Sequence, residues 1–338
     1  MTAAVLSGLG AWLPPRIVTN EELGRELDVT DEWIHRRTGI RRRHVCDPGT
    51  ATSDLAVEAG ARALASAGVA AADAVVLATA TPDHQIPGTA PAVAARLGMG
   101  GVAAFDVNAV CTGFVYALAT GAALVRGGLA DSALVIGADT FSTVLDPADK
   151  VVRPLFGDGA GAVVLRAGAP EEPGALNLFD LGSDGAQDDL IIVPGGGSRQ
   201  RSGGLPADPD TAWMTMRGRE VFVNAVTRMT ASSRAVLARA GSEPAAVDRL
   251  VGHQANIRIL RAVADQLGLP EESLVSNIDR VGNTSAASIP LALAHGVATG
   301  SVTEGATVLL TAFGAGLTWG SALCEWPKIA LNDGEDTP

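Results

Sequence analysis

Apolar runs of strand length alternate with alanine-rich stretches of helical period along most of this chain. Ala74 to Thr79 (AVVLAT), Ser132 to Gly137 (SALVIG), Gly161 to Leu165 (GAVVL), Asp248 to Gly252 (DRLVG) and Thr307 to Thr311 (TVLLT) are nearly continuous in Val, Leu, Ile and Ala. Such runs with helices between them predict a parallel sheet covered on both faces. Ser53 to Ala67 and Thr112 to Val125 carry the helical period, and sparse charge on every side predicts that several such helices are buried all round. The opening MTAAVLSGLGAWLPPR has no basic stretch ahead of its apolar residues and meets a double proline early, so it reads as a first strand.

Two glycine turns resemble each other. Phe156-Gly157-Asp158-Gly159 leads into an apolar AGAVVL, and Phe313-Gly314-Ala315-Gly316 leads into LTWGSAL. One such turn is ordinary. One in each half points to a duplicated α/β unit. Pro194 to Asp210 (PGGGSRQRSGGLPADPD) reads as a long mobile loop, and the acidic Asn332 to Pro338 as a frayed tail.

Composition narrows the class. At 338 residues, 47% hydrophobic and 18% charged, the chain is a large globular protein with a substantial core. Its net charge of −12 repels phosphate-rich partners and disfavours nucleic acid. No uncharged apolar run approaches the ~20 residues that span a bilayer. The odd set Cys46, Cys111 and Cys324 has no C-x-x-C spacing, which fits a reducing cytoplasm and neither a disulfide framework nor a zinc site. No His, Cys, Asp and Glu cluster has metal-ligand spacing, so no metal is expected.

Three residues stand where loops meet helices. Cys111 follows FDVNAV and opens TGFVYAL, a strand-to-helix junction that favours a thiolate and offers free N–H groups to an oxyanion. A cysteine among Val and Ala equally suits a small core residue. His253 ends the strand DRLVG ahead of the helix IRILRAVADQLG, at the carboxyl-end position where functional groups of parallel sheets gather. A satisfied structural histidine is the other reading. Asn283, in GNTSAAS, is either a third member of a site or the cap of the helix IPLALAHG. All three in comparable settings favour one site. His35, His44, His84 and His295 lie in poorer settings for a base.

The segments CTGFVYAL, FGDGAGA, HQANIRI, GNTSAAS and FGAGLTWGSAL, with TDEWIHRRTGIRRRH near the N-terminus, resemble β-ketoacyl-acyl-carrier-protein synthase III of the thiolase superfamily. The resemblance runs from about Asp31 to Trp326. It implies a homodimer of αβαβα five-layer subunits, with Cys111 in a first half at 1–172 and His253 and Asn283 in a second at 173–338. Cys111 would take an acyl group from acyl-CoA, with the backbone N–H groups of Cys111 and Ala315 as oxyanion hole. His253 and Asn283 would hydrogen-bond a malonyl thioester so that decarboxylation yields an enolate, which attacks the acyl-cysteine to give a β-ketoacyl thioester. Acyl-CoA is a substrate in this scheme, and no permanently bound cofactor is implied.

The same resemblance assigns CoA contacts to Trp33, Arg37, Lys150 and Asn256. Taken without it, Trp33 suits a helix core and Arg37 a solvated charge. Arg258 and Arg261 would meet the acidic carrier protein. Val223 and Asp265-Gln266 stand where the family often has lysines, so docking is expected to be weakened. Ile86 replaces an aromatic residue that in some members caps the acyl pocket across the dimer, which implies room for bulkier acyl groups. The weakened docking patch also leaves open an acyltransferase that delivers the acyl group to a hydroxyl or amine of a small molecule.

Overall fold

The computed structural model describes residues 2–204 and 208–331. Along the first half run β1 (Ala3–Trp12), β2 (Ile17–Thr19), α1 (Asn20–Leu27), α2 (Asp31–Thr38), β3 (Arg42–His44) and α3 (Thr52–Ala67). There follow β4 (Ala74–Ala78), α4 (Ala90–Arg96), β5 (Ala103–Val107), α5 (Gly113–Arg126), β6 (Ser132–Asp139) and β7 (Gly159–Gly168). The second half holds β8 (Leu178–Ser183), β9 (Ile191–Ile192), α6 (Ser198–Ser202), β10 (Thr215–Met216), α7 (Gly218–Arg239) and β11 (Arg249–Gly252). It closes with α8 (Ile257–Leu267), α9 (Ile278–Val281), α10 (Ser288–Ala298), β12 (Thr307–Gly314) and β13 (Thr318–Glu325).

Two large sheets organise these elements. One has the order β1-β7-β6-β4-β5, the other β11-β12-β13-β8. Helices α5 and α10 lie between them, and their apolar residues join both sheets in one core that includes Phe114, Leu118, Ile289, Leu291, Val135 and Leu310. Outside the first sheet pack α3 and α4, with Leu55, Ala59 and Val93 against Val75, Leu77 and Ile136. Outside the second pack α7 and α8, with Val236, Leu260 and Val263 against Leu250 and Leu309. Five layers, αβαβα, result. The low charge of α5 and α10 is now explained, because a helix between two sheets has no face for water.

The expected parallel sheet is only partly so. β4 pairs in parallel with β5 and β6, and β11 with β12. β1 and β6 run antiparallel to β7, and β13 runs antiparallel to β12 and β8. The cause is in the connections. A parallel neighbour needs a long crossover, whereas β12 reaches β13 through the tight turn 315–317. The two Phe-Gly turns do occupy like places, each entering the antiparallel strand β7 or β13.

Within the glycine-rich stretch Pro194 to Asp210, residues 205–207 lie outside the described residues. The rest is not a bare loop: it contains α6, and the Gly196 carbonyl accepts a hydrogen bond from Gln85 Nε2 at 2.7 Å. The tail from Asn332 to Pro338 also lies outside the described residues. Among the described residues no helix is long and apolar enough to cross a membrane.

Candidate active site

Cys111 lies in a single helical turn, Val110–Thr112, between the end of β5 and the start of α5. Val110 has φ of +47°, a left-handed conformation costly for a β-branched side chain, so the surrounding packing imposes this turn. Thr112 Oγ1 donates to the Thr318 carbonyl at 3.1 Å, and Thr318 Oγ1 donates to the carbonyls of Ala109 and Ala315. The turn of Cys111 is thus bolted to the turn that carries Ala315. Gly314 approaches so closely that a Cβ there would sit 3.0 Å from both Cys111 N and Thr112 N.

The Cys111 side chain is buried, and its thiol donates to Ser285 Oγ at 3.7 Å. Burial pushes this thiol up to about 12, the Ser285 hydrogen bond opposes that rise, and the nearby Asp139 charge adds to it. Loss of solvation therefore outweighs the expected preference for thiolate in the free protein.

His253 directly follows β11, and its N–H donates to the Thr311 carbonyl of β12 at 2.9 Å. It is buried, and its Nδ1 has no hydrogen-bond partner. That counts against a satisfied structural histidine. Burial lowers its pKa to about 3, so the imidazole is neutral and supplies a donor without a charge.

Asn283 is held by backbone bonds on both sides: its N–H donates to the Leu155 carbonyl at 2.8 Å, and its carbonyl accepts from Gly157 N at 3.0 Å. Its Oδ1 accepts the Ser285 N–H at 2.9 Å. Asn283 therefore caps the turn Ser285–Ala287 and not α10, which begins at Ser288. With the oxygen committed, the amino end of the amide is the free donor.

The turns of Cys111 and Ser285–Ala287 pack together, and β12 brings both the His253 strand and Gly314 to the same end of the sheets. The three side chains are not hydrogen-bonded to one another. A cavity of about 200 Å³ leads toward them, lined by Trp33, Arg37, Val151, Phe222, Asn256 and Asn283 among others. It runs from exposed Val151 to buried Asn283. A larger cleft, about 780 Å³, lies elsewhere, between α2 and α8, and is open with charges of both signs. The smaller, largely apolar cavity is the one that Asn283 lines; Cys111 and His253 are not among its lining residues.

The remaining expected residues fare unequally. Arg37 lies over the Trp33 ring at 4.2 Å, so both side chains form the cavity mouth. Lys150 does not line it; the adjacent Val151 does. Asn256 lines the cavity, but its Oδ1 accepts from Arg258 N at the start of α8 and its Nδ2 donates to the Arg37 carbonyl, both at 2.9 Å. Its amide is mostly engaged in joining α8 to α2. Arg258 and Arg261 line the open cleft instead, and Arg261 is ion-paired with Glu271 at 2.9 Å. Ile86 is 89% exposed.

Residues that patterning did not single out complete the site. Asp139, wholly buried at the end of β6, accepts from Thr79 Oγ1, Ala80 N, Thr81 N and Ala286 N at 2.8 to 3.2 Å. Ser285 and Thr318 were visible only as members of motifs. A buried aspartate ending an apolar strand in SALVIGAD was the available signal for Asp139.

A five-layer αβαβα fold with a buried cysteine at the turn that opens α5 is the fold of the thiolase-type condensing enzymes. Two family descriptions match: 3-oxoacyl-[acyl-carrier-protein (ACP)] synthase III over residues 105–185, and its C-terminal region over 237–326. The chain is 60% identical to beta-ketoacyl-[acyl-carrier-protein] synthase III 5 of Streptomyces coelicolor, covering 97% of this chain and 98% of that one. It is 57% identical to the synthase III of Pseudomonas aeruginosa, at 97% and 98% coverage. The crystal structure of 3-oxoacyl-(acyl carrier protein) synthase III from Pseudomonas aeruginosa superposes with a TM-score of 0.91 and 55% identity, over 97% of this chain and 99% of that one. The priming β-ketosynthase of the R1128 polyketide pathway gives 0.90 and 34%, over 97% of each. This chain belongs to the β-ketoacyl-acyl-carrier-protein synthase III family.

Proposed function

We propose that the chain primes acyl chains by condensing an acyl group from acyl-CoA with a malonyl group on a carrier protein. The observation that carries this reading is the committed oxygen of Asn283, which leaves only N–H donors toward the reacting carbonyl. In the first half-reaction Cys111 Sγ bonds the acyl carbon, the carbon–sulfur bond to CoA breaks, and the thiol proton ends on the departing CoA sulfur. The N–H groups of Cys111 and Ala315 hold the tetrahedral oxyanion. In the second, loss of carbon dioxide leaves an electron pair that neutral His253 and Asn283 stabilise as an enolate. The enolate carbon attacks the acyl carbon on Cys111, a carbon–carbon bond forms as the carbon–sulfur bond to Cys111 breaks, and the released thiolate takes a proton from water to regenerate the thiol.

Trp33, Arg37 and Phe222 at the cavity mouth suit the flat adenine and the phosphates of CoA, and the apolar passage to Asn283 suits a pantetheine arm. A homodimer is supported by the outer position of β5 in its sheet and by the exposed apolar Ile86 and Phe105. In that dimer Ile86 would cap the partner's acyl pocket and admit branched or bulky groups. The two donors favour condensation over transfer to a small-molecule hydroxyl or amine, which needs no enolate. Incubation with a panel of acyl-CoAs, with and without malonyl carrier protein, followed by mass analysis of protein and products, tests the reading. A β-ketoacyl carrier product supports it; acylated small molecules with no carbon–carbon bond would overturn it.

A further inference from the structure

The Cys111 thiol has a polar neighbour outside the Cys-His-Asn set. Its hydrogen bond goes to Ser285 Oγ, and both residues are buried. Ser285 has φ of +49°, a left-handed conformation that strains any residue with a Cβ and that glycine adopts freely. The side chain at this position must therefore be explained by its contacts and not by its backbone. Those contacts form a chain. The thiol donates to the Ser285 oxygen, the Ser285 hydroxyl faces the Asp139 carboxylate and lowers its pKa against the rise that burial causes, and that carboxylate anchors the same turn through Ala286 N at 3.0 Å. The rest of Asp139 is fixed by donors from Thr79, Ala80 and Thr81, so the carboxylate cannot turn away.

Acyl loading must pass through negative charge on Cys111 Sγ in a place where burial and Asp139 both oppose it. A hydroxyl that already touches the sulfur can reverse its hydrogen bond as the charge appears. We infer that Ser285 is a further catalytic residue, whose hydroxyl swings from the Asp139 carboxylate to the Cys111 sulfur as thiol gives way to thiolate. Ser285 keeps its own proton throughout. The thiol proton leaves with the CoA sulfur as the new thioester bond forms and the old one breaks. Asp139 acts as a positioning residue that holds the hydroxyl in line until it is needed. The inference rests on the reading of Cys111 as the acylated nucleophile.

Ser285→Gly removes the hydroxyl and relieves the backbone strain together. The expected melting temperature is equal to or above that of the wild type. Acyl loading from acyl-CoA, and Cys111 alkylation by iodoacetamide at one mildly alkaline pH, should both slow by about tenfold to a hundredfold, the usual worth of a hydrogen bond to a charged group. A purely structural serine would leave both rates unchanged once strain is removed, and that result overturns the inference. Should the glycine variant melt lower, Ser285→Ala, which retains the Cβ, is read by the same two rates. Cys111→Ala run beside them must stay unmodified by both reagents; acylation of that variant would instead overturn the nucleophile assignment.

Discussion

Gly314 and Cys111 meet at the limit of what backbones allow: a Cβ on Gly314 would stand 3.0 Å from the Cys111 nitrogen, whose N–H the proposed function assigns to the oxyanion hole. Gly314→Ala must push the nucleophile's turn away from the turn that bears Ala315. The expected loss in acyl loading is about a hundredfold to a thousandfold, as for removal of one oxyanion donor. Single-turnover loading measured by mass shift checks it, and wild-type loading would show that the approach has no bearing on the oxyanion hole.

Cys111→Ala should abolish covalent acylation with little effect on the fold, since it deletes one small buried sulfur. Cys46 and Cys324 should remain unlabelled in the wild type. Burial pushes both thiols up, and Asp158 beside Cys46 adds to the effect. Peptide mapping after exposure to acyl-CoA is the measurement, and an acyl group on either residue contradicts it.

Much of this was legible in the chain. The apolar runs located the central strands, and Cys111, His253 and Asn283 were each recognisable at loop–helix junctions. What periodicity could not carry was strand direction, because a continuous apolar strand looks alike whether a helix or a tight turn precedes it. Nor could it show where hydrogen bonds go. Asn256 reads as a ligand contact, yet its amide serves the start of α8, and Arg258 turns into a separate cleft. Ser285 and Asp139 come close to Cys111 only through folding, from 174 positions away for Ser285.

The neutrality of His253 fixes a pH response. Decarboxylation of malonyl carrier should be level through about pH 6 to 7, where a free imidazole titrates, because this imidazole protonates only near 3. Stability carries the matching sign. The unfolded chain gains a proton as pH falls through 6.5 and the folded chain does not until about 3, so this contribution is full above 6.5 and is lost as pH falls toward 3. Melting curves of the wild type and His253→Gln between neutral and mildly acid pH should show the wild type losing ground. A midpoint near 6.5 in the decarboxylation rate would contradict the assignment.

Val223, Asp265 and Gln266 are exposed around Arg258 and Arg261, and Glu271 already neutralises Arg261. Lysine at all three positions should raise turnover with malonyl carrier at low salt. Each substitution adds about 1 kcal/mol or less of screened attraction, so the gain should fade as salt is added. Association rates read the effect most directly. No gain at any salt concentration would place carrier docking elsewhere.

The division of labour between Cys111 and the pair His253 and Asn283 is tested most directly by following both half-reactions in His253→Ala and Asn283→Asp. Each variant should acquire the acyl mass on Cys111 at a rate close to that of the wild type. Malonyl decarboxylation should fall by about a hundredfold to a thousandfold in His253→Ala, and comparably in Asn283→Asp, where a carboxylate repels the enolate. Loss of acyl loading with decarboxylation intact in either variant would contradict the account.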